Sequence, residues 1–275
     1  MTTTIRLGFI GYGEVGQLFA RQLLAMPGVA VSAFDIKLAD AAAAAPLIRA
    51  AGESGVRLAG TMADAVSGCD IVFSAVTASS AEEVAREGAR CLAPGQILFD
   101  INSASPDTKS RAAAALAAAG LDYVEGAVMA PVLQPGIRVS ILTGGAKAGE
   151  ITERLNALGM NLRQVSDEIG RASATKLCRS IMIKGLEALI IDSTRASRHW
   201  GVSEDVFASL SETFPSIDWP ALAEIMDARV AKHGLRRAAE MREAAAMLGE
   251  MGLHPGLSEA IAEAHDRRAR AGLSN

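Results

Sequence analysis

The chain has 275 residues, of which 50% are hydrophobic and 21% charged, the balance of an ordinary globular protein with room for one large domain or two smaller ones. Its formal net charge of −4 argues against nucleic-acid binding, which needs a basic stripe. The cluster Arg267, Arg268 and Arg270 reads instead as a solvated helix end favoured by the helix dipole.

The N-terminus enters a strand pattern at once, with no basic segment ahead of an apolar run. No uncharged apolar stretch approaches the length needed to cross a bilayer. Three widely spaced cysteines, Cys69, Cys91 and Cys178, suggest neither a disulfide framework nor a metal site. Together these point to a cytoplasmic protein with no membrane partner. The abundance of alanine predicts a high helix content.

From the start to Ser166, short β-rich runs alternate with helical stretches. "IRLGFIG", "VAVSAFD", "DIVFSAV", "QILFDIN", "LDYVEGA", "VSILTG" and "NLRQVS" read as strands. Between them "EVGQLFARQLLAM", an alanine-rich stretch from Ala39, "SAEEVAREGARCL" and "PDTKSRAAAALAAAG" read as helices. Apolar strands alternating with helices predict a parallel sheet covered on both faces, an α/β doubly wound domain of the Rossmann type over residues 1–166. After Ser166 the strand signals stop. A long helix is predicted from Arg171 to Trp200, followed by helices broken at "FPSIDWP" and "GLHPG". Residues 167–275 therefore form an all-helical second domain.

The first strand runs directly into "GFIGYGEVG", a G-x-G-x-x-G pattern at Gly11, Gly13 and Gly16 that opens the first helix. In that context Gly11 permits a tight turn, Gly13 lets backbone approach a pyrophosphate, and Gly16 lets helix pack on strand. Glu14 and Val15, in the same turn, lie where a helix N-terminus offers its amides to phosphate. Asp35 closes the second strand 19 residues after Gly16 (35 − 16), placed to accept hydrogen bonds from an adenosine ribose. NAD is the expected cofactor. Lys37, a cation two positions on, keeps NADP open. Val76 and Thr77, in "SAVTASS" at the end of the next core strand, are candidate contacts for the nicotinamide ribose or ring.

In the long helix, Lys176, Arg179, Ser180, Lys184 and Glu187 fall on one polar stripe of an otherwise apolar surface. Such a stripe must meet a partner, a cavity or a site, because an unpaired buried charge is expensive. The cleft between the two domains is the expected place for its upper part; Lys184 and Glu187 are expected to form a structural pair. The four histidines, His199, His233, His254 and His265, lack metal-ligand spacing and read as surface or packing residues.

The fingerprint at the N-terminus, "DINSASP" after the fifth strand, and Lys176 on the first interdomain helix resemble the β-hydroxyacid dehydrogenase family. That family includes 3-hydroxyisobutyrate dehydrogenase and, more distantly, 6-phosphogluconate dehydrogenase. The resemblance implies NAD(P)-linked oxidation of a small 3-hydroxy acid, or reduction of the corresponding carbonyl, with Lys176 as general acid/base. It also implies a homodimer formed through the helical domain. The match is divergent. The family's D-x-S-T-x-x-P is here Asp100, Asn102, Ser103 and Pro106, its asparagines after the lysine are Arg179 and Ser180, and its Gly-Gly pair is Ala130-Pro131. Asn102, Ser103, Arg179 and Ser180 are thereby the candidate substrate contacts, with Arg179 suited to an anionic group. Three alternatives stay open: a decarboxylating dehydrogenase of the 6-phosphogluconate kind, an imine reductase, and an NAD-binding sensor without turnover.

Overall fold

The structure, a computed structural model, describes residues 4–273. In chain order the elements are β1 (Ile5–Ile10), α1 (Glu14–Leu24), β2 (Val29–Phe34), α2 (Ala41–Ser54), β3 (Arg57–Leu58), α3 (Met62–Val66) and β4 (Ile71–Ser74). They continue with α4 (Ala81–Cys91), β5 (Ile97–Asp100), α5 (Pro106–Ala117), β6 (Asp122–Val128), β7 (Ser140–Gly144), α6 (Ala148–Asn156) and β8 (Asn161–Ser166). Four helices complete the chain: α7 (Arg171–Trp200), α8 (Ser203–Thr213), α9 (Trp219–Glu250) and α10 (Gly256–Leu273).

The sheet has eight strands in the order β3-β2-β1-β4-β5-β6-β7-β8, doubly wound about β1 and followed by an all-helical region, as the sequence predicts. Every neighbouring pair is parallel except β6 and β7, which run antiparallel with Glu125 opposite Gly144 and Val128 opposite Ile141. That exception corrects the all-parallel expectation. The β6–β7 connection contains only a short 3₁₀ turn, Gly136–Arg138, and a link without a crossover helix suits an antiparallel return. Three short elements, β3, α3 and α6, also carry too little pattern to be read from sequence.

Side chains alternate between two buried layers. Leu7, Phe9, Phe73, Phe99 and Val124 face the layer covered by α1, α2 and α6, whereas Ile10, Val72, Leu98 and Tyr123 face the layer covered by α3, α4 and α5. The register places Phe9, Phe73 and Phe99 side by side on β1, β4 and β5. The first pair of rings stacks at 4.6 Å and the second meets edge-on at 5.3 Å. Each fully buried ring contributes about 1.5–3 kcal/mol by leaving water, and each pair about 0.5–1.5 kcal/mol more. The strand ends that carry the loops below are thus rigidly held.

The chain divides into two compact units after Lys176. This division falls inside α7, whereas the change of grammar in the sequence falls at Ser166. The first turn of α7 goes with the sheet because Glu125 of β6 holds it. In the second unit, α9 packs against α10 so closely that a Cβ at Gly234 would lie 2.6 Å from the His265 carbonyl oxygen. No helix among the described residues is long and apolar enough to cross a membrane.

Candidate active site

The three glycines of the β1–α1 loop are glycine for different reasons. Gly11 has φ +95°, in the left-handed region, and an added Cβ would run into the Ala75 carbonyl. A Cβ on Gly16 would collide with the Gly11 carbonyl oxygen. Gly13 has ordinary φ and nothing within 4 Å of its would-be Cβ. Its bareness serves no contact within the chain and leaves room for a ligand. Gly13 is also the N-cap of α1 and supplies no side-chain cap, so the first-turn amides that follow, including those of Glu14 and Val15, are left for an anion.

Asp35, buried directly after β2, accepts hydrogen bonds from the backbone N–H of Tyr12 at 2.8 Å and of Lys37 at 3.0 Å. One bond on each oxygen leaves a further lone pair on each. The carboxylate is thus tied to the glycine loop and still able to receive ribose hydroxyls. Lys37 is exposed. These residues fit a dinucleotide: a bare glycine, an uncapped helix start and a fixed carboxylate.

From this end a chain of contacts leads to the chemistry. Gly11 borders Val76, whose Cγ1 would lie 2.9 Å from a Cβ placed there. The Val76 N–H donates to Asn102 Oδ1 at 2.7 Å, and Asn102 Nδ2 donates to Ser74 Oγ at 2.9 Å. Asn102 therefore clamps the end of β5 to the end of β4, an internal job its candidacy as a substrate contact did not anticipate. Thr77 is exposed, its hydroxyl shared with Ser79 and Ser80 at 3.0 Å each. Ser103 is half-buried and receives a hydrogen bond from Lys176 Nζ. The structure thus brings Lys176 and Ser103 into contact, two residues 73 positions apart in sequence.

Beneath this pair lies a buried network that sequence reasoning missed. Lys109 is fully buried and donates to the Asp100 carboxylate at 3.0 Å and its carbonyl at 2.9 Å. Tyr123 donates to the same carboxylate at 2.7 Å. Burial, then the Asp100 charge, push the Tyr123 phenol well above its ordinary range, so it stays a donor. Asp100 in turn accepts the Asn102 N–H at 2.9 Å, which fixes the loop carrying Ser103. The available signal was a charged residue inside or closing an apolar strand, Asp100 in "ILFD" and Glu125 in "DYVEGAV".

Arg179 and Ser180 belong to the second unit. Arg179 is exposed, and Ser180 is buried with its hydroxyl accepting from Lys184 at 3.0 Å. Lys184 and Glu187 do not pair with each other as expected. Lys184 meets Glu240 of α9 at 2.8 Å. Glu187, fully buried, accepts from Arg237 Nε at 2.8 Å and Arg229 at 3.3 Å and lies 3.2 Å from His265 Nε2. The lower stripe of α7 is polar because α9 and α10 supply its counter-charges.

Two family models match the chain: the NAD binding domain of 6-phosphogluconate dehydrogenase over residues 6–160, and a domain of unknown function, DUF1932, over residues 197–267. A conserved hypothetical protein from Sinorhizobium meliloti 1021 is 39% identical with a TM-score of 0.84, over 96% of this chain and 88% of that one. A conserved protein described as structurally similar to 3-hydroxyacid dehydrogenases is 32% identical with a TM-score of 0.79, over 98% and 99%. The 2-(hydroxymethyl)glutarate dehydrogenase of Eubacterium barkeri is 28% identical over 192 residues, 66% of this chain and 60% of that relative.

Proposed function

The chain belongs to the β-hydroxyacid dehydrogenase family, as a divergent member, and from that premise we propose that it oxidises a small, anionic 3-hydroxy acid with Lys176 as general acid/base. The observation that carries the reading is the run of contacts from the glycine loop through Val76 and Asn102 to Ser103 and the Lys176 amine. A bound nicotinamide adenine dinucleotide would supply the hydride acceptor in its nicotinamide ring. Gly13 and the first-turn amides of α1 would hold its pyrophosphate, and Asp35 its adenosine ribose. Asp35 supports NAD over NADP, since a fixed carboxylate repels a 2′-phosphate.

Loss of hydride from the alcohol carbon leaves a carbonyl, so the hydroxyl proton needs an acceptor. The neutral Lys176 amine takes it in oxidation and returns it in the reverse direction. Ser103, already within hydrogen-bonding reach of that amine, orients the reacting hydroxyl. Arg179 is the proposed partner of the substrate carboxylate, through two parallel hydrogen bonds. Ser180 lies beside it and has its hydroxyl engaged by Lys184. A homodimer formed through the helical region completes the proposal.

The test follows reduced-nicotinamide formation with NAD and with NADP. The panel holds 3-hydroxyisobutyrate, 2-(hydroxymethyl)glutarate, and phosphorylated and aromatic 3-hydroxy acids. Lys176→Ala should lower kcat by roughly 10²–10⁴-fold while cofactor affinity is kept. Undiminished turnover in that variant would remove Lys176 from the mechanism. Carbon dioxide among the products would mark the decarboxylating alternative, and reduction of a cyclic imine but no hydroxy acid would mark the imine-reductase one.

A further inference from the structure

Helix α7 starts on a buried carboxylate. Glu125, fully buried in β6, accepts the Gly170 N–H at 2.7 Å and the Ala172 N–H at 3.0 Å on Oε1. Its Oε2 accepts the Ser173 N–H at 3.2 Å and the Ser173 hydroxyl at 2.7 Å. First-turn amides have no partner within their own helix and carry its positive end, so a carboxylate held among them has its hydrogen bonds satisfied and meets a favourable field. The socket is shaped to this one group. Gly144, opposite Glu125 in the register, could not carry a Cβ without bringing it within 2.6 Å of Oε1.

On its other side, Glu125 is the register partner of Asp100. Asp100 fixes the loop that carries Ser103, and Glu125 fixes the helix start that carries Lys176 one turn on. Two adjacent carboxylates on neighbouring strands therefore anchor the two members of the Lys176–Ser103 contact.

We propose that Glu125 is a positioning residue for Lys176: it fixes where α7 begins and hence where the amine lies relative to Ser103. The inference rests on Lys176 being the acid/base group. Glutamine at position 125 keeps the size but turns an NH₂ donor toward a set of four donors, so α7 must shift to relieve the mismatch. Aspartate keeps the charge and withdraws it by one methylene.

The experiment compares the native chain with Glu125→Gln, Glu125→Asp and Lys176→Ala. One readout is kcat and KM, with NAD, for the acid of that panel which the native chain oxidises fastest. The other, independent of turnover, is the pH dependence of Lys176 modification by a small amine-reactive reagent, followed by peptide mass, with the half-buried Lys147, paired with Glu150, as internal reference. In Glu125→Gln the expected result is kcat lower by roughly 100-fold, the order expected for an ångström-scale misplacement. NAD affinity should be unchanged, and the Lys176 labelling midpoint should move while that of Lys147 stays. Glu125→Asp should recover part of both. A folded Glu125→Gln with native kcat and a native Lys176 midpoint, beside an inactive Lys176→Ala, would overturn the role of Glu125 alone. Full turnover in Lys176→Ala would overturn the acid/base reading and this proposal with it. Equal loss of NAD affinity and kcat would make Glu125 a general support of the nucleotide unit and overturn the proposal. Should Glu125→Gln fail to fold, Ser173→Ala removes a single donor and leaves the carboxylate in place. A native Lys176 midpoint there counts against the inference and a moved one for it.

Discussion

A methyl group added at Gly13 would touch nothing within 4 Å, whereas one added at Gly16 would collide with the Gly11 carbonyl oxygen. The two substitutions should therefore separate folding from binding. Gly13→Ala should melt within a few degrees of the native chain, as expected for a change that meets open space at an ordinary φ. Its NAD dissociation constant should rise on the order of tenfold or more, because the methyl enters the space kept bare for the pyrophosphate. Gly16→Ala should instead cost about 1–3 kcal/mol of stability through overpacking. Thermal melts and cofactor titrations of both variants decide the matter. A destabilised Gly13→Ala with native affinity would mean that the loop's bareness serves the fold and not a ligand. These glycines were legible in the sequence because their spacing is local. Glu125 was not legible in this way, since its donors lie 45 to 48 positions away.

Helix α7 presents the same problem at the level of an element. Its polar stripe is plain in the sequence, but the partners of that stripe come from α9 and α10. Periodicity predicts which residues share a face; it does not say what faces them. A pair of opposite charges within one helix was the simplest expectation for Lys184 and Glu187, and packing assigned each a partner elsewhere. The arrangement has a consequence for pH. Burial alone would raise the Glu187 carboxyl, yet hydrogen bonds from His265 and Arg237 hold it below its ordinary value of 4.5. A depressed folded value means stability that is present above the unfolded value and lost as pH falls through the folded one. Asp227, held low chiefly by Arg268, adds to the same acid limb. Glu187→Gln should therefore be less stable than the native chain at neutral pH, by about 3–5 kcal/mol for a broken buried pair. The gap between the two chains should narrow below pH 4.5. Denaturant melts at a series of pH values test this. A gap that stays constant with pH would show that the lost stability came from packing and not from the charge.

At the scale of the whole molecule, the sequence made the two kinds of architecture plain, because strand–helix alternation and its abrupt end at Ser166 are long-range patterns. It did not reveal the antiparallel β7, whose direction depends on a short connection and not on strand composition. Nor could it say which apolar face of the helical region the chain itself covers. A helix apolar nearly all round is expected to be buried, yet Met182 is 65% exposed and Leu189 69%. With Leu186 and Leu257 they line a groove of about 340 Å³ between α7 and α10. A contiguous apolar surface on an otherwise charged helical unit is costly to leave in water, and a second copy of the chain is the proposed cover. Stable dimers bury on the order of 1,200–2,000 Å², so the patch would be the apolar centre of a larger contact. Two charges placed there should abolish it. The native chain should sediment as a dimer, and Met182→Glu combined with Leu189→Glu as a monomer with unchanged helix content. Neither side chain is buried in the single chain, so loss of the dimer in that variant would not be a loss of fold. A native chain that sediments as a monomer at high concentration would leave the groove for some other occupant and remove the homodimer from the proposal.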